Sequence, residues 1–304
     1  MSQETIERTF EISASARLKL SNICGSVDIH PGEDNAIRVT AIKHTDSSDA
    51  ERTEIEMSQA ADGMVIVATH FREGQWMWLF GSRPCQVDYS VKAPRACCLK
   101  VNVVSSTVVA EGFSGEFDFD SVSGDVTLRD LTGPLNVRTV SGDLAGQRLS
   151  GPLDLNSVSG DVALSESTLP SVAATTVSGD LRLHTALGQG PYHFNSVSGD
   201  VRLTLPGDAR CSTRLHSISG GISTPFPLTS YCHKNGSQVA EVQGGGVNVS
   251  LHSVSGDLLL DTDGKVMPTP TPQATPSVVD RREVLERIER GEMTVEEGLT
   301  QLRG

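Results

Sequence analysis

Residues 117–143 read FDFDSVSGDVTLRDLTGPLNVRTVSGD and contain two copies of the phrase VSGD. The chain holds seven versions of this phrase, and their glycines are Gly124, Gly142, Gly160, Gly179, Gly199, Gly220 and Gly256. The successive spacings are 18, 18, 19, 20, 21 and 36 residues. A period this short and regular is typical of a stacked repeat rather than of an ordinary globular core.

Each repeat has the pattern of two short strands separated by turns. Val126 and Leu128 alternate with polar residues, and Leu135 and Val137 do the same in the next run. Such period-two alternation indicates half-buried strands. The runs are separated by turn sequences that contain Gly133 and Gly142, with Pro, Asp or Ser beside them. The repeat is therefore strand, corner, strand, corner, with about nine residues per edge.

Two folds satisfy this pattern: an antiparallel meander and a parallel β-solenoid. We favour the solenoid, because stacked coils explain why two turn types alternate at a constant period. The predicted fold class is all-β, a parallel β-solenoid (β-helix) over residues 6–263 with VSGD at its corners. Coils that rise by about 4.8 Å would give a rod of roughly 43 Å. The spacing of 36 predicts one or two poorly matched coils within residues 221–250.

The composition changes after Gly264. Residues 264–278 are rich in Pro and Thr and read as an extended linker. Residues 279–304 predict a small two-helix hairpin, with a glycine stop at Gly291 and a capping sequence that begins at Thr294. Its apolar stripe is the predicted contact for a protein partner. The stripe residues are Leu285, Ile288, Leu299 and Leu302.

Charge and targeting signals restrict the class of protein. The 304 residues carry a formal net charge of −13, which argues against nucleic acid as a partner. No signal peptide or apolar run of 18 residues is present, so we expect a cytoplasmic protein, with peripheral membrane contact left open. The six cysteines lack metal-ligand spacing and are expected to be reduced thiols: Cys24, Cys85, Cys97, Cys98, Cys211 and Cys232.

Two parts of the chain resemble known families. The run from Leu18 to Gly32, with its NxxG corner, and the run Tyr89-x-Val91-x-Ala93-Pro94 that leads into repeated SVSGDV resemble the bacterial adhesin-like β-repeat domain, a domain of unknown function. The tail from Val284 to Leu302 is similar to a SHOCT-like helical module, with Gly298 where Ala is usual. The combination implies a bacterial interaction protein linked to cell-envelope stress, and it carries over no catalytic residues.

The repeated corner aspartates would form a column along one edge of the rod. They either bind cations or satisfy backbone amides at the corners, and turn chemistry is favoured because one carboxylate per coil provides few oxygens for calcium. We therefore assign no metal and no cofactor. The structural corner residues are Gly124, Asp125, Gly142, Asp143, Gly160, Asp161, Gly179, Asp180, Gly199, Asp200, Gly256 and Asp257.

One segment, residues 71–83, concentrates the aromatic residues. It contains Trp76, Trp78 and Phe80 and is flanked by arginines. It either caps or packs against the solenoid, or it contacts a partner or a membrane surface.

We predict a non-enzymatic interaction or scaffold protein. The runner-up is a self-assembling, bactofilin-like scaffold whose bare ends pair by strand addition. A carbohydrate-active β-helix enzyme is third, because the outward arginines are single and no catalytic set of residues stands out. The eight histidines show no HxH or HxxxH spacing, although stacking would bring residues one period apart together, such as His233 and His252.

Overall fold

The computed structural model describes residues 3–12, 15–33, 35–44, 52–71, 85–234 and 237–264. Within these ranges the regular elements are 23 β-strands, with no α-helix. The predicted linker and helical hairpin lie outside the described residues, except for Gly264.

The central repeats each contribute two strands to two parallel stacks. The strands that precede each corner form the first face, and those that follow it form the second face. The first-face strands are β8 (Phe117–Ser123), β10 (Leu135–Ser141), β12 (Leu153–Ser159), β14 (Val172–Ser178) and β16 (Tyr192–Ser198). The second-face strands are β9 (Val126–Arg129), β11 (Leu144–Gln147), β13 (Val162–Ser167), β15 (Leu181–Thr185) and β17 (Val201–Leu205).

Parallel register confirms the solenoid and excludes the meander. On the first face Val137 pairs with Phe119 on one side and with Leu155 on the other, and both pairings are parallel. Equivalent residues of successive repeats therefore lie directly over one another. The equal nine-residue edges were wrong: the second-face strand is short because a residue with positive φ, such as Asp130 or Arg148, turns the chain into a third, narrower side.

The core is a set of apolar columns inside the coils. Inward positions of the first face hold large side chains, such as Phe119, Val137 and Leu155, and all are at most 1% exposed. The inward position nearest the corner is instead small and polar, as at Ser121 and Thr139. A small residue there lets the chain bend sharply into the glycine corner.

Glycine is required at the corners by a close approach of the backbone. Gly160 has a φ of 121°, and a Cβ atom at this position would lie 2.2 Å from the carbonyl oxygen of Gly142 in the coil beneath. Gly142, Gly179 and Gly199 repeat this arrangement. The corner of one coil therefore occupies the space that a side chain of the next would need.

The stack departs from chain order at its C-terminal end. The remaining strands are β18 (Cys211–Ser219), β19 (Ile222–Ser223), β20 (Leu228–Lys234), β21 (Ser237–Val242), β22 (Val247–Ser255) and β23 (Leu258–Thr262). Strand β22 pairs with β16 on one side and with β18 on the other, so the Gly256 corner lies between those of Gly199 and Gly220.

This insertion overturns the prediction of poorly matched coils in residues 221–250. Strands β20 and β21 form an antiparallel hairpin, and β21 also pairs antiparallel with β18. The spacing of 36 arises because the chain makes this hairpin before it returns to fill the gap in the stack.

Antiparallel strands also cover the N-terminal end. The strands here are β1 (Gln3–Glu11), β2 (Ala16–Pro31), β3 (Ala36–His44), β4 (Thr53–Gln59), β5 (Val65–Phe71), β6 (Val87–Ala93) and β7 (Cys97–Glu111). The long strands β2 and β7 run through both faces and pair in parallel, which places early corners at Gly25 and Ser106. On the far side of β2, strand β5 continues the first face and strand β6 continues the second face. Strand β4 pairs antiparallel with β5, and strand β3 pairs antiparallel with β6 and then with β1.

The corner geometry predicts a large effect of a single methyl group. Gly160→Ala should lower the free energy of unfolding by at least about 3 kcal/mol, because the new Cβ meets a backbone carbonyl that cannot move away. Gly63→Ala is the matched control: its φ is also positive, at 82°, but nothing lies within 4 Å of the added atom. The control should cost only about 1 kcal/mol. Equal losses for the two variants in denaturant unfolding would contradict the corner contact.

Candidate functional site

The second residue of each SVSGD repeat points away from the core. Because the preceding Ser or Thr faces inward, the valine of VSGD emerges on the outer surface of the first face. Its side chain is between 45% and 49% exposed in every regular coil. We call this column the valine stripe, and its members in stacking order are Ile23, Val104, Val122, Val140, Val158, Val177, Val197, Val254 and Ile218.

A groove runs beside the valine stripe. Its volume is about 620 Å³, and it extends from Ile23 to Val177. One wall is the stripe, and the other is the neighbouring outward column, which includes Asn102, Arg138 and Asn156. The groove exists because each strand bends next to its corner. Its volume is in the range of ligand-binding clefts, and one wall is aliphatic throughout.

The polar wall and the outward column next to it carry charges that neutralise one another. Arg138 Nη1 lies 3.1 Å from Asp120 Oδ1 and 3.5 Å from Asp118 Oδ1. Lys100 Nζ contacts Asp118 Oδ2 at 2.5 Å. These ion pairs are largely exposed, so each contributes little to stability. They leave the surface next to the stripe close to electrically neutral.

A buried polar network closes the N-terminal end of the groove. The Thr69 hydroxyl lies 2.7 Å from the Tyr89 hydroxyl and donates to Asn22 Oδ1 at 3.0 Å. Asn22 in turn donates to the carbonyl of Val87 at 2.9 Å. Burial raises the pKa of Tyr89 to about 12, so its hydroxyl keeps its proton at neutral pH. These partners fix Asn22 in the column that Ser and Thr occupy elsewhere.

The corner aspartates form a hydrogen-bonded ladder rather than an open row of carboxylates. Asp143 donates its backbone N–H to Asp125 Oδ1 at 3.0 Å, and Asp161 donates to Asp143 at 2.9 Å. The same bond joins each later pair and ends with Gly221, which donates to Asp257 at 2.8 Å. The geometry supports the turn-chemistry interpretation. Among the described residues no group of three or more His, Cys, Asp or Glu is arranged to hold a metal ion.

The ladder has a member outside the VSGD repeats. Asp88 on β6 accepts the backbone N–H of Ser26 at 2.8 Å, which is the same kind of bond, separated from the Asp125 end of the ladder by the Ser26 and Thr107 positions. Burial raises the pKa of Asp88, but hydrogen bonds from His44, Gln86 and Ser26 outweigh it and leave the pKa below its usual value. Sequence reasoning missed Asp88 because no glycine corner precedes it. The valine stripe was also missed, although its signal, a valine at an outward alternation position, is visible in every repeat.

The remaining predicted residues divide into two groups. Trp76, Trp78 and Phe80 lie outside the described residues, as do the apolar tail residues Leu285, Ile288, Leu299 and Leu302. The six cysteines are all free thiols, as expected. Burial raises the pKa of Cys97 to about 12.

The histidine pairing was wrong in detail. His252 is in register with His216, not with His233, because β22 lies next to β18. The two rings have centroids 5.8 Å apart.

A carbohydrate-active enzyme would need a cluster of outward acids, and one close pair is present. Asp118 and Asp120 share the guanidinium of Arg138, so their carboxylates are close. A glycosidase needs one carboxyl held in its protonated form, usually by an apolar environment. Here two cations contact the pair: Lys100 contacts Asp118, and Arg138 contacts both carboxylates. The arrangement suits a charged groove wall better than an acid–base pair.

The described residues therefore define a class of protein: a parallel β-solenoid with antiparallel ends and an exposed aliphatic stripe. No helix among them is long and apolar enough to cross a lipid bilayer. A family model described as Toastrack DUF4097 matches residues 15–261. The chain belongs to this family, and the match confirms the adhesin-like β-repeat domain as a domain of unknown function.

Solved structures are similar to this chain at low sequence identity. A putative adhesin from Bacteroides fragilis has a TM-score of 0.51 at 10% identity, with 85% of this chain and 98% of that chain covered. A putative adhesin and a putative lipid binding protein, both from Parabacteroides distasonis, have TM-scores of 0.40 and 0.37 at 10% identity. The match to the Parabacteroides distasonis adhesin covers 85% of this chain and 97% of that chain. The match to the lipid binding protein covers 86% of this chain and 97% of that chain. No curated protein matches the chain.

The ladder distinguishes hydrogen bonding from cation binding by experiment. Asp161→Asn keeps an acceptor oxygen and should leave the free energy of unfolding within about 0.5 kcal/mol, whereas Asp161→Ala leaves the Asp180 amide unpaired and should cost about 1 kcal/mol or more. Thermal unfolding should not respond to calcium or EDTA. A calcium-dependent midpoint that the Asn variant abolishes would instead establish a cation site.

Proposed function

We propose that this protein is a non-enzymatic binding or scaffold module that recognises its partner through the valine stripe and the adjacent groove. The observation that carries the proposal is the stripe itself: nine aliphatic side chains in one straight column, with Ile218 85% exposed. Contiguous exposed apolar surface of this kind marks interaction sites in soluble proteins. The rest of the first face is polar, so covering the stripe removes the most apolar surface from water and gives the largest favourable free energy of binding.

The solenoid suits this role because it holds the stripe straight and rigid. Each coil is fixed by parallel backbone hydrogen bonds and by the aspartate ladder, so the surface is ordered before a partner binds. Pre-ordering lowers the conformational entropy cost of ordering this surface on association. The adhesin description of the Bacteroides fragilis structure is consistent with a binding role, although the likeness itself is one of fold.

The C-terminal tail supplies a second contact in this proposal. Leu285, Ile288, Leu299 and Leu302 would form the apolar face of a short helical module that recruits a protein partner. The link to cell-envelope stress rests on the resemblance of this tail and the repeats to envelope-stress proteins. Trp76, Trp78 and Phe80 would add a contact to the partner or to a membrane surface. Cytoplasmic placement and the lack of a nucleic-acid partner remain predictions.

The two alternatives gain less from the geometry. The bactofilin-like scaffold requires bare parallel coils at the ends, but β4, β3 and β1 at one end and β21 with β20 at the other are antiparallel. At these ends another copy would meet a reversed strand rather than the next parallel coil. The carbohydrate-active enzyme requires a protonated acid, and the Asp118–Asp120 pair is bound by Lys100 and Arg138.

A neutral apolar dye tests the stripe directly. N-phenyl-1-naphthylamine should fluoresce in the presence of the folded protein, and Val140→Lys with Val158→Lys should reduce this signal several-fold, because charged amines interrupt the aliphatic wall. The matched control is Ala145→Lys with Ala163→Lys, which places two lysines on the same two coils of the second face. At a protein concentration at which the chain is monomeric, an equal response of both variants, or no dye binding by the wild type, would count against a binding site at the stripe.

Deletion of residues 279–304 tests the tail. The described strands end at Thr262, so the truncated chain should unfold at the same temperature as the full chain. It should also lose a protein that the full-length bait retains, and Trp76→Ala with Trp78→Ala should weaken that retention if the aromatic segment contributes. A large fall in the unfolding temperature would show instead that the tail serves to cap the solenoid.

A further inference from the structure

We propose that the partner of the valine stripe is a second copy of this chain, in a side-by-side homodimer of two parallel solenoids. The inference deepens the proposed function and rests on it. It depends on the repeat distance of the stripe, on the shape of the groove beside it and on the charges around it.

The repeat distance selects the partner. Stripe residues recur once per coil, at about 4.8 Å. An α-helix laid along the stripe presents a turn every 5.4 Å, so after about four turns it is half a repeat out of step. An extended strand presents side chains on one face every 6.6–6.8 Å and loses register sooner. A second stripe has the same spacing and stays in register from Ile23 to Ile218.

The shape of the surface is self-complementary. The stripe is a ridge, and the groove of about 620 Å³ lies directly beside it. A two-fold axis parallel to the solenoid axis seats the ridge of each copy in the groove of the other. The valines of one copy then contact Val122, Val140 and Val158 of the other and close over the groove. Such an isologous contact uses the same patch twice, as dimers with two-fold symmetry require.

Local charge permits two copies to meet here even though the chain carries a net charge of −13. Two outward columns lie next to the stripe, at the positions two and four residues before each stripe residue, as Asp120 and Asp118 precede Val122. Together these columns hold four cationic and three anionic side chains. The cations are Lys19, Lys100, Arg138 and Arg214, and the anions are Asp118, Asp120 and Asp154. The same two-fold axis turns the aspartate ladder of each copy toward these columns of the other. The acidic excess of the chain therefore does not oppose this contact.

Sedimentation of the full chain over a wide range of concentration tests the proposal. The wild type should shift reversibly from monomer to dimer. Val140→Lys with Val158→Lys should weaken the dimer at least about tenfold, whereas Ala145→Lys with Ala163→Lys should leave it unchanged. If the lysine variant fails to fold, as judged by circular dichroism, Val140→Thr with Val158→Thr and Val177→Thr retains the shape and should still weaken the dimer.

Two outcomes of sedimentation would overturn the proposal. A wild type that stays monomeric at every concentration excludes the second copy as the partner. If the wild type then binds the dye and the stripe variant does not, the proposed function is still supported. A dimer that persists in the stripe variant, with a control of equal affinity, places self-association on another surface.

Cross-linking tests the parallel arrangement separately. In a Cys24→Ser, Cys232→Ser background, Val122→Cys and Val197→Cys should each be joined to its own copy by a short bismaleimide reagent, because parallel pairing places equal positions side by side. Cross-linking only in the mixture of the two variants would mean that the copies run antiparallel, which would refute the ridge-in-groove contact.

Discussion

The structure depends on the contact between successive glycine corners. At each corner the carbonyl of one glycine lies where the Cβ of the next would be, as for Gly142 beneath Gly160. This contact allows the coils to stack at the spacing of parallel strands, and the stacking then sets the interior columns, the aspartate ladder and the valine stripe. A side chain at any of these glycines would meet the backbone of the neighbouring coil, and the corner between Gly25 and Gly124 holds Ser106 instead of glycine.

The stacking also decides which residues are available for function. Asp125 and its equivalents give one carboxylate oxygen each to the amide of the next coil, so they contribute to the corner. The valines contribute nothing to the core, because the preceding Ser or Thr takes the inward position. Every coil therefore adds one aliphatic side chain to the outer surface, and nine coils produce the stripe. The stripe is a consequence of the sharp bend that each repeat makes at its glycine corner.

Both ends of the solenoid show how the chain stops a parallel stack. At the C-terminal end the β20–β21 hairpin reverses direction against β18, and at the N-terminal end β4 and β3 reverse against β5 and β6. These reversals replace the next parallel coil by strands of opposite direction. The exposed apolar surface lies on the first face.

The sequence by itself determined the repeat, the strand alternation, the corners and the turn role of the aspartates, because these depend on local backbone chemistry at Gly124, Asp125 and their equivalents. Only the tertiary structure decided the order of the last coils, the ladder role of Asp88, the His216–His252 register and the groove. Each of these depends on which strands become neighbours. That choice is non-local: β22 fits between β16 and β18 because the chain first forms a hairpin, and no spacing in the sequence distinguishes that path from two irregular coils.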